Sequence, residues 1–350
     1  MRRSRAREGA GDALDRGSAP LTRSVLVTDY AWPNLEVERR ILDGIGVEIV
    51  AAETGDEDEL TELASDVVAI LTNWKPVSGR VLRNAGRCLT VARYGVGLDN
   101  IDVATATELG IVVSNVPDYC VDEVSDHALA LVLSLSRRIV DFAGQTRAGG
   151  WDNQGFGVMH RLRGRVLGLV GFGRIARAVA ARAQAFGFSL LAYSPSLAPG
   201  EHDSVRAVGS LDELLGSSDL VSLHTPLTDS TRGMIGASQL AMMRPGAFLV
   251  NTARGALVDE DALVEALVGG RLGGAGLDVM DDEPPAPDHP LRATPGVVMT
   301  PHAGFYSVES INELQEKAAG NVATVLSGRV PATVVNPEVL SSPVRRAPGR

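Results

Sequence analysis

Three residues with complementary chemistry each follow a short apolar run that is typical of a β-strand. Arg254 lies in VNTARGALVDEDAL, Glu283 in LDVMDDEPP and His302 in MTPHAGFYS. Because the carboxyl ends of the strands border the ligand crevice of an open α/β sheet, we expect these side chains to meet there. Each has an ordinary alternative: a surface arginine before a helix, a solvated glutamate in an acidic turn, or a histidine packed in its loop.

Together these residue types suit the reduction of a 2-keto acid. A guanidinium group can bind the substrate carboxylate through two parallel hydrogen bonds, which lysine cannot reproduce. An imidazole can give a proton to the keto oxygen as a hydride reaches the carbon, or take the hydroxyl proton in the reverse direction. A carboxylate beside the imidazole would favour its protonated form and hold its tautomer. We therefore predict Arg254 as the carboxylate binder and His302, paired with Glu283, as the acid and base.

A source for the hydride is indicated by the stretch LGLVGFGRIARAVA at residues 167–180. Its spacing, Gly171, Gly173 and Ala176, is the G-x-G-x-x-A pattern in which glycines let a pyrophosphate approach the start of a helix. The alternative is an ordinary tight strand-to-helix turn, but the preceding strand and following helix favour a dinucleotide site. His224, at the end of LVSLHTP, borders the same cleft, whereas we interpret His127 on an apolar helix as structural.

The elements around these residues form two separate β-α alternations. The first begins at Ser24 and has about five strands without a glycine fingerprint; the second begins at Arg165 and has six strands, the fingerprint following the first of them. A long apolar helix, about Asp122 to Phe142, joins them. We predict an α/β fold of two doubly wound parallel-sheet domains: a Rossmann cofactor domain, residues 121–302, inserted into a flavodoxin-like substrate domain, residues 24–120 and 303–337.

Composition narrows the class of protein further. The 350 residues carry 33 Lys and Arg against 43 Asp and Glu, a net charge of −10 that argues against a nucleic-acid surface. Two cysteines, Cys88 and Cys120, cannot build a disulfide framework, and no Cys/His pattern predicts a metal site. No apolar run reaches the roughly 20 residues of a membrane span. We expect a cytoplasmic protein with disordered tails at residues 1–23 and 338–350.

From Ser24 to about Asn336 the chain resembles the D-isomer-specific 2-hydroxyacid dehydrogenases. The motifs that carry the resemblance are ARYGVGLDNID, SNVPDYCVDEVSDHAL, GLVGFGRIA, HTPLT, NTARGALVDEDAL, GLDVMDDEPP and TPHAGFYS. The second and last of these are most similar to the branch of C-terminal-binding-protein-like dehydrogenases. The resemblance implies an NAD(P)-dependent dehydrogenase that is a homodimer through its cofactor domain. The alternative that this branch permits is an NAD(H)-sensing interaction protein.

The resemblance also implies roles for individual residues. Arg254, Glu283 and His302 would be the catalytic set, and the backbone of Val96 and Gly97 would hold the substrate carboxylate. Independently of the resemblance, Trp74 follows the strand VVAILTN and Phe305 the catalytic histidine, so we expect them to line the pocket for the substrate side chain; the alternative is ordinary loop packing. The residues assigned to the cofactor are Gly171, Phe172, Gly173, Arg174 and Ile175 at the pyrophosphate, Thr225, Pro226, Ala253 and Asp278 at the nicotinamide, and Ser194, His224, Thr231 and Gly304 elsewhere in the cleft.

The chain departs from the family pattern at two places. The histidine loop carries Gly304 and Phe305 where much of the family has a small residue followed by another small or polar one. The second departure concerns the cofactor. The acidic residue expected about 20 residues beyond the fingerprint, which would bind the adenosine ribose and repel a 2′-phosphate, is Ser194. No arginine adjoins it, and Arg206 is the nearest downstream. We therefore expect NAD as the preferred cofactor, with NADP possible and weak discrimination between the two.

Overall fold

The structure is a computed structural model that describes residues 23–348. Its substrate domain has a five-stranded, fully parallel sheet with the strand order β2-β1-β3-β4-β5, which is flavodoxin-like. The strands are β1 (Ser24–Val27), β2 (Glu48–Ala51), β3 (Ala69–Thr72), β4 (Thr90–Arg93) and β5 (Val112–Ser114). The helices are α1 (Glu36–Asp43), α2 (Glu57–Leu63), α3 (Gly79–Asn84), α4 (Val103–Glu108) and, returning after the second domain, α11 (Val308–Leu326).

Both faces of this sheet are buried, as the β-branched runs predict. Val25, Val27 and Leu71 pack on one face with the apolar side of α1 and α11. The intervening Leu26 and Ile70 pack on the other face with α2, α3 and α4. Since α11 completes the first core, the substrate domain needs the chain to return after the cofactor domain.

The cofactor domain has an eight-stranded sheet with the order β13-β12-β11-β10-β6-β7-β9-β8, in which only β8 is antiparallel. The strands are β6 (Val166–Val170), β7 (Ser189–Tyr193), β8 (Gly200–His202), β9 (Val205–Ala207), β10 (Leu220–Leu223), β11 (Ala247–Asn251), β12 (Leu272–Leu277) and β13 (Val297–Met299). The helices are α5 (Val121–Arg137), α6 (Ile139–Arg147), α7 (Arg174–Ala185), α8 (Leu211–Ser217), α9 (Ala237–Met242) and α10 (Glu260–Val268). Short 3-10 helices are Gly255–Leu257, Pro290–Arg292 and Pro337–Ser341.

The order from β9 to β12 is the Rossmann order, so the predicted fold class is confirmed. The expectation of six strands was wrong by two, because β8 and β9 have only three residues each and lack a long apolar run. They extend the sheet beyond β7, the strand that ends beside Ser194.

The joining helix is shorter than predicted. It ends at Arg137 because Arg138 adopts a left-handed backbone, φ 53°, and α6 then starts in a new direction. Arg138 is held there by a hydrogen bond of 2.9 Å from Nη2 to the carbonyl of Gly273 and by packing over the Phe248 ring. Among the described residues, no helix combines the length and apolar character that crossing a bilayer requires.

Part of the segment for which we expect disorder, residues 338–350, makes contacts in the structure. Beyond the last 3-10 helix the chain returns to the substrate domain, where the Arg346 amide donates to the carbonyl of Gly110 at 2.9 Å. The Arg346 guanidinium donates to the carbonyls of Ala85 and Cys88. These long-range contacts have no signal in the local composition. The predicted disorder of residues 1–22 lies outside the described residues.

Candidate active site

Glu283 and His302 form a hydrogen-bonded pair at the carboxyl edge of the cofactor sheet. They follow the neighbouring parallel strands β12 and β13, so the sheet itself brings their loops together. His302 Nδ1 lies 2.7 Å from Glu283 Oε2, while Oε1 accepts from the Met280 amide at 3.0 Å. Burial alone would raise the pKa of Glu283, but the interaction with His302, the Met280 amide and the charge of Arg254 together lower it. An ionised Glu283 holds the proton on Nδ1 and leaves Nε2 for exchange with a substrate.

The His302 loop is anchored by Asp278, which is 3% exposed. The His302 amide donates to the Asp278 carbonyl at 2.7 Å. The Asp278 carboxylate accepts from the amides of Ala303 and Gly304, each at 2.9 Å, and from the Thr300 hydroxyl at 2.6 Å. Asp278 therefore has a structural task beside the contact with nicotinamide that the resemblance implies.

Arg254 follows β11 and reaches across the cleft to the substrate domain. Its Nε donates to Asp99 Oδ1 at 3.1 Å and its Nη1 to the Ala253 carbonyl at 2.7 Å. Nη2 lies against Gly97, where a side-chain Cβ would stand only 1.5 Å from it. Burial alone would raise the pKa of Asp99, but the charge and hydrogen bond of Arg254, a backbone hydrogen bond and the charge of Arg93 together lower it. The charge of Arg254 also lowers the pKa of Glu283, which places all three predicted catalytic residues in one electrostatic environment.

Asp99 was not singled out from the sequence. The only signal was its position two residues after Gly97 in GVGLDN. Val96, on the other side of Gly97, is 38% exposed, and its carbonyl accepts from the Asn115 side chain at 2.8 Å. The segment expected to hold a substrate carboxylate thus faces the cleft, next to the arginine.

The glycine fingerprint has the geometry that a pyrophosphate needs. Gly171 has φ 86°, and a Cβ there would come within 2.6 Å of the His224 carbonyl, so only glycine fits. Gly173 caps α7 without a side-chain hydrogen bond, and a Cβ built on it has no heavy atom within 4 Å. The space around the N-cap of α7 is therefore open and no side chain caps the helix, as dinucleotide binding requires. Of the neighbours assigned to the same turn, Arg174 is exposed, and Phe172 and Ile175 are partly buried.

The loop after β10 forms the other wall of this cleft. His224 lies 2.9 Å from Ser222 Oγ, and burial lowers its pKa to about 4, so the ring is neutral at physiological pH. Thr225 comes next and is partly buried, and Pro226 is exposed. The Thr231 hydroxyl donates to the Pro226 carbonyl at 2.8 Å, which closes the turn. Ala253, on the neighbouring loop, donates its amide to Asn251 Oδ1 at 3.0 Å.

Ser194 stands directly after β7, the strand that pairs with the fingerprint strand β6. Its Oγ lies 3.3 Å from Ser196 Oγ. Arg206, on β9, has its guanidinium 3.5 Å from Glu213 Oε1, where it is already partnered by a carboxylate. The chain directly after β7 thus presents hydroxyl groups at the position where the family pattern has an acidic residue.

An aromatic wall, defined as Trp74, Tyr119 and Phe305, stands beside His302. The ring centroids of Trp74 and Phe305 lie 6.3 and 6.0 Å from that of His302 and 6.1 Å from each other. Tyr119 lies 6.4 Å from Phe305 and was not predicted from the sequence. Trp74 is 43% exposed, and its amide donates to Asp29 Oδ2 at 2.8 Å.

Comparison with known proteins identifies the family of the cofactor domain. Residues 129–304 match the family model described as "D-isomer specific 2-hydroxyacid dehydrogenase, NAD binding domain". A glyoxylate reductase of Thermococcus litoralis is 39% identical over 291 residues, which cover 81% of this chain and 88% of the relative.

Two solved structures share the whole two-domain architecture. One is the D-lactate dehydrogenase of Aquifex aeolicus complexed with NAD and lactic acid, with TM-score 0.80 and 26% identity, covering 89% of this chain and 99% of the other. The second is the NADPH-dependent glyoxylate/hydroxypyruvate reductase of Sinorhizobium meliloti in complex with NADP and malonate, with TM-score 0.80 and 31% identity, covering 94% and 99%.

Proposed function

The chain belongs to the D-isomer-specific 2-hydroxyacid dehydrogenase family, and from that premise we propose roles for its residues and a class of substrate. The chain is an NAD(P)-dependent oxidoreductase that interconverts a 2-keto acid and its 2-hydroxy acid. The reaction proposed is reduction of a small 2-keto acid to the D-hydroxy acid at Arg254, Glu283 and His302. The observation that carries these roles is the 2.7 Å His302–Glu283 pair beside Arg254, at the sheet edge shared with the glycine fingerprint.

Arg254 binds the substrate carboxylate in this proposal. Asp99 and Ala253 hold its Nε and Nη1 and fix the plane of the guanidinium. In place of the two parallel hydrogen bonds expected from the sequence, Nη2, at the segment of Val96 and Gly97, then meets one carboxylate oxygen while backbone amides of that segment meet the other, because Nε and Nη1 already bond the protein. The positive charge also polarises the neighbouring keto group.

His302 gives its Nε2 proton to the keto oxygen, and Glu283 stabilises the protonated ring before the transfer. Reduced nicotinamide, when bound, supplies the hydride to the keto carbon. The dinucleotide would be held at two places. The fingerprint turn would bind the pyrophosphate, and Thr225, Pro226 and Ala253 would contact the nicotinamide. In the reverse direction neutral Nε2 accepts the proton of the hydroxyl group.

A panel of 2-keto acids with NADH and NADPH tests this function. We expect the purified full-length protein to oxidise the cofactor with at least one of glyoxylate, pyruvate, hydroxypyruvate and phenylpyruvate, and chiral chromatography to find the D-product where the product is chiral. Tight cofactor binding without turnover of any 2-keto acid would contradict the proposal. That result would favour the alternative, an NAD(H)-sensing interaction protein.

NAD(H) is the preferred cofactor in this proposal, with weak discrimination. Ser194 removes the carboxylate that would repel a 2′-phosphate, but Arg206 is engaged with Glu213 and no arginine stands immediately beside Ser194 in the sequence. Parallel kcat/KM measurements with NADH and NADPH should differ by about tenfold or less. A strong NADPH preference would overturn this assignment, and S194D should then restore the preference for NADH.

The substrate side chain lies against the aromatic wall in this proposal. Trp74 and Phe305 offer apolar ring surface next to His302, so phenylpyruvate should have a higher kcat/KM than glyoxylate. A clear preference for glyoxylate would show that these rings only pack the loop.

We propose a cytoplasmic homodimer that associates through the cofactor domain. The segment from α6 to residue 160 exposes large apolar side chains that a monomer would leave in water. Those most exposed are Trp151 at 91%, Val158 at 79% and Ile139 at 53%. Light scattering should give twice the chain mass for the wild type, and a W151E/V158E double variant should shift it towards the monomer. A monomeric wild type would contradict the proposal.

A further inference from the structure

His127, on α5, contacts the anchor of the catalytic loop. Its Nε2 lies 2.9 Å from Thr300 Oγ1 and 3.3 Å from Asp278 Oδ1. The Thr300 hydroxyl has one hydrogen, and its 2.6 Å bond to Asp278 Oδ1 uses it. Thr300 Oγ1 must therefore accept from His127, which requires a hydrogen on Nε2.

The loop that this anchor holds is strained at His302 itself. His302 has φ 50°, a left-handed conformation that non-glycine residues adopt only where their surroundings impose it. The constraint comes from Asp278, whose carbonyl binds the His302 amide and whose carboxylate binds the next two amides. Any rotation of the Asp278 carboxylate would release two of these three bonds.

A second bond ties α5 to the far end of the same loop. Ser307, which caps α11, donates its hydroxyl to Glu123 Oε1 at 2.7 Å. Glu123 and His127 are four residues apart, so they lie on the same face of α5. The first turns of α5, where the chain enters the cofactor domain, thus hold residues 300–307 at both ends.

We propose that His127 is a positioning residue for the reaction proposed above. Its Nε2 hydrogen orients the Thr300 hydroxyl and, through it, the Asp278 carboxylate, which fixes the strained backbone that places His302 against Glu283. His127 does not touch the substrate in this assignment. It sets how accurately Nε2 of His302 meets the keto oxygen.

The test compares H127L, which removes the donor, with H127Q, whose amide can donate from a similar position. H202Q is the matched control, because His202 is also partly buried and its Nε2 bonds the Ala198 carbonyl beside β8, at the opposite edge of the cofactor sheet from His302. We expect H127L to lower kcat by about 10- to 100-fold. The dissociation constant of NADH should change by a smaller factor than kcat, since a small displacement of an acid affects transfer more than cofactor binding.

A role in proton transfer has a specific signature. The solvent deuterium isotope effect on kcat should be larger in H127L than in the wild type and return towards the wild-type value in H127Q. If H127L does not fold, T300V removes the same hydroxyl link at nearly constant volume and should show the same loss of kcat.

Three results would overturn the proposal. They are a wild-type kcat in H127L, a loss of kcat with an unchanged isotope effect, and H127Q as impaired as H127L. An inactive wild type would overturn the proposed function as well, so the two failures are distinguishable.

Discussion

Because Arg254 lies against Gly97, the variant G97A, which adds one methyl group there, tests the geometry of the active site. In G97A the new Cβ would stand 1.5 Å from Arg254 Nη2 and 2.7 Å from its Cζ. The guanidinium would have to retreat by about 2 Å to reach an ordinary contact distance. A displacement of about 1 Å in a positioned group can cost about 100-fold in rate, so we expect kcat/KM for the keto acid to fall by at least about 100-fold.

The fold should tolerate this change, because the end of a flexible side chain can move aside. We expect the unfolding free energy of G97A to lie within about 0.5 kcal/mol of the wild type. G86A, in the same domain and with no heavy atom within 4 Å of the new Cβ, is the control and should keep full activity. Steady-state kinetics, thermal unfolding and NADH titration separate these effects. A G97A enzyme with more than a third of the wild-type kcat/KM would refute the assigned position of Arg254.

Three further predictions follow from the same site. R254K should be nearly as inactive as R254A in kcat/KM, because one ammonium group cannot hold Asp99 and Ala253 and still bind a carboxylate; near-normal activity would refute this. E283Q should move a limb of the kcat/KM profile to lower pH, since the protonated imidazole loses its charged partner; an unchanged profile would separate Glu283 from the acid–base step. For His224, the pKa of about 4 lies below the ordinary 6.5, so the neutral ring stabilises the fold above pH 6.5 and this contribution is lost as pH falls towards 4. Urea unfolding at pH 6.5 and 4 should show a smaller loss in H224Q, by at most about 3 kcal/mol; equal losses would refute the burial argument.

The parts of the fold and site that follow local rules were predictable from the sequence. Short apolar runs alternating with amphipathic helices indicate parallel sheets, and a polar residue just after such a run lies at the ligand edge. That reasoning placed Glu283 and His302 on loops that prove adjacent, because β12 and β13 are neighbours. The glycine fingerprint is equally local, since its backbone geometry depends on Gly171 and Gly173 themselves.

The parts that depend on distant contacts could not be predicted in the same way. Asp99 lies 155 residues from Arg254, and nothing in GVGLDN indicates that the two side chains bond. Arg138 ends α5 because of a carbonyl on β12. His127 has the apolar neighbours of a buried helix, so its bond to Thr300, 173 residues away, became visible only in three dimensions.

Activity of the H302A variant tests the central claim most directly. The variant should still bind NADH with the wild-type dissociation constant, because His302 belongs to the loop after β13 and not to the fingerprint turn. Its kcat for the best 2-keto acid of the panel should fall by about 10²- to 10⁴-fold, the usual contribution of a positioned acid. Turnover within about threefold of the wild type would contradict the account, because the proton would then come from another group.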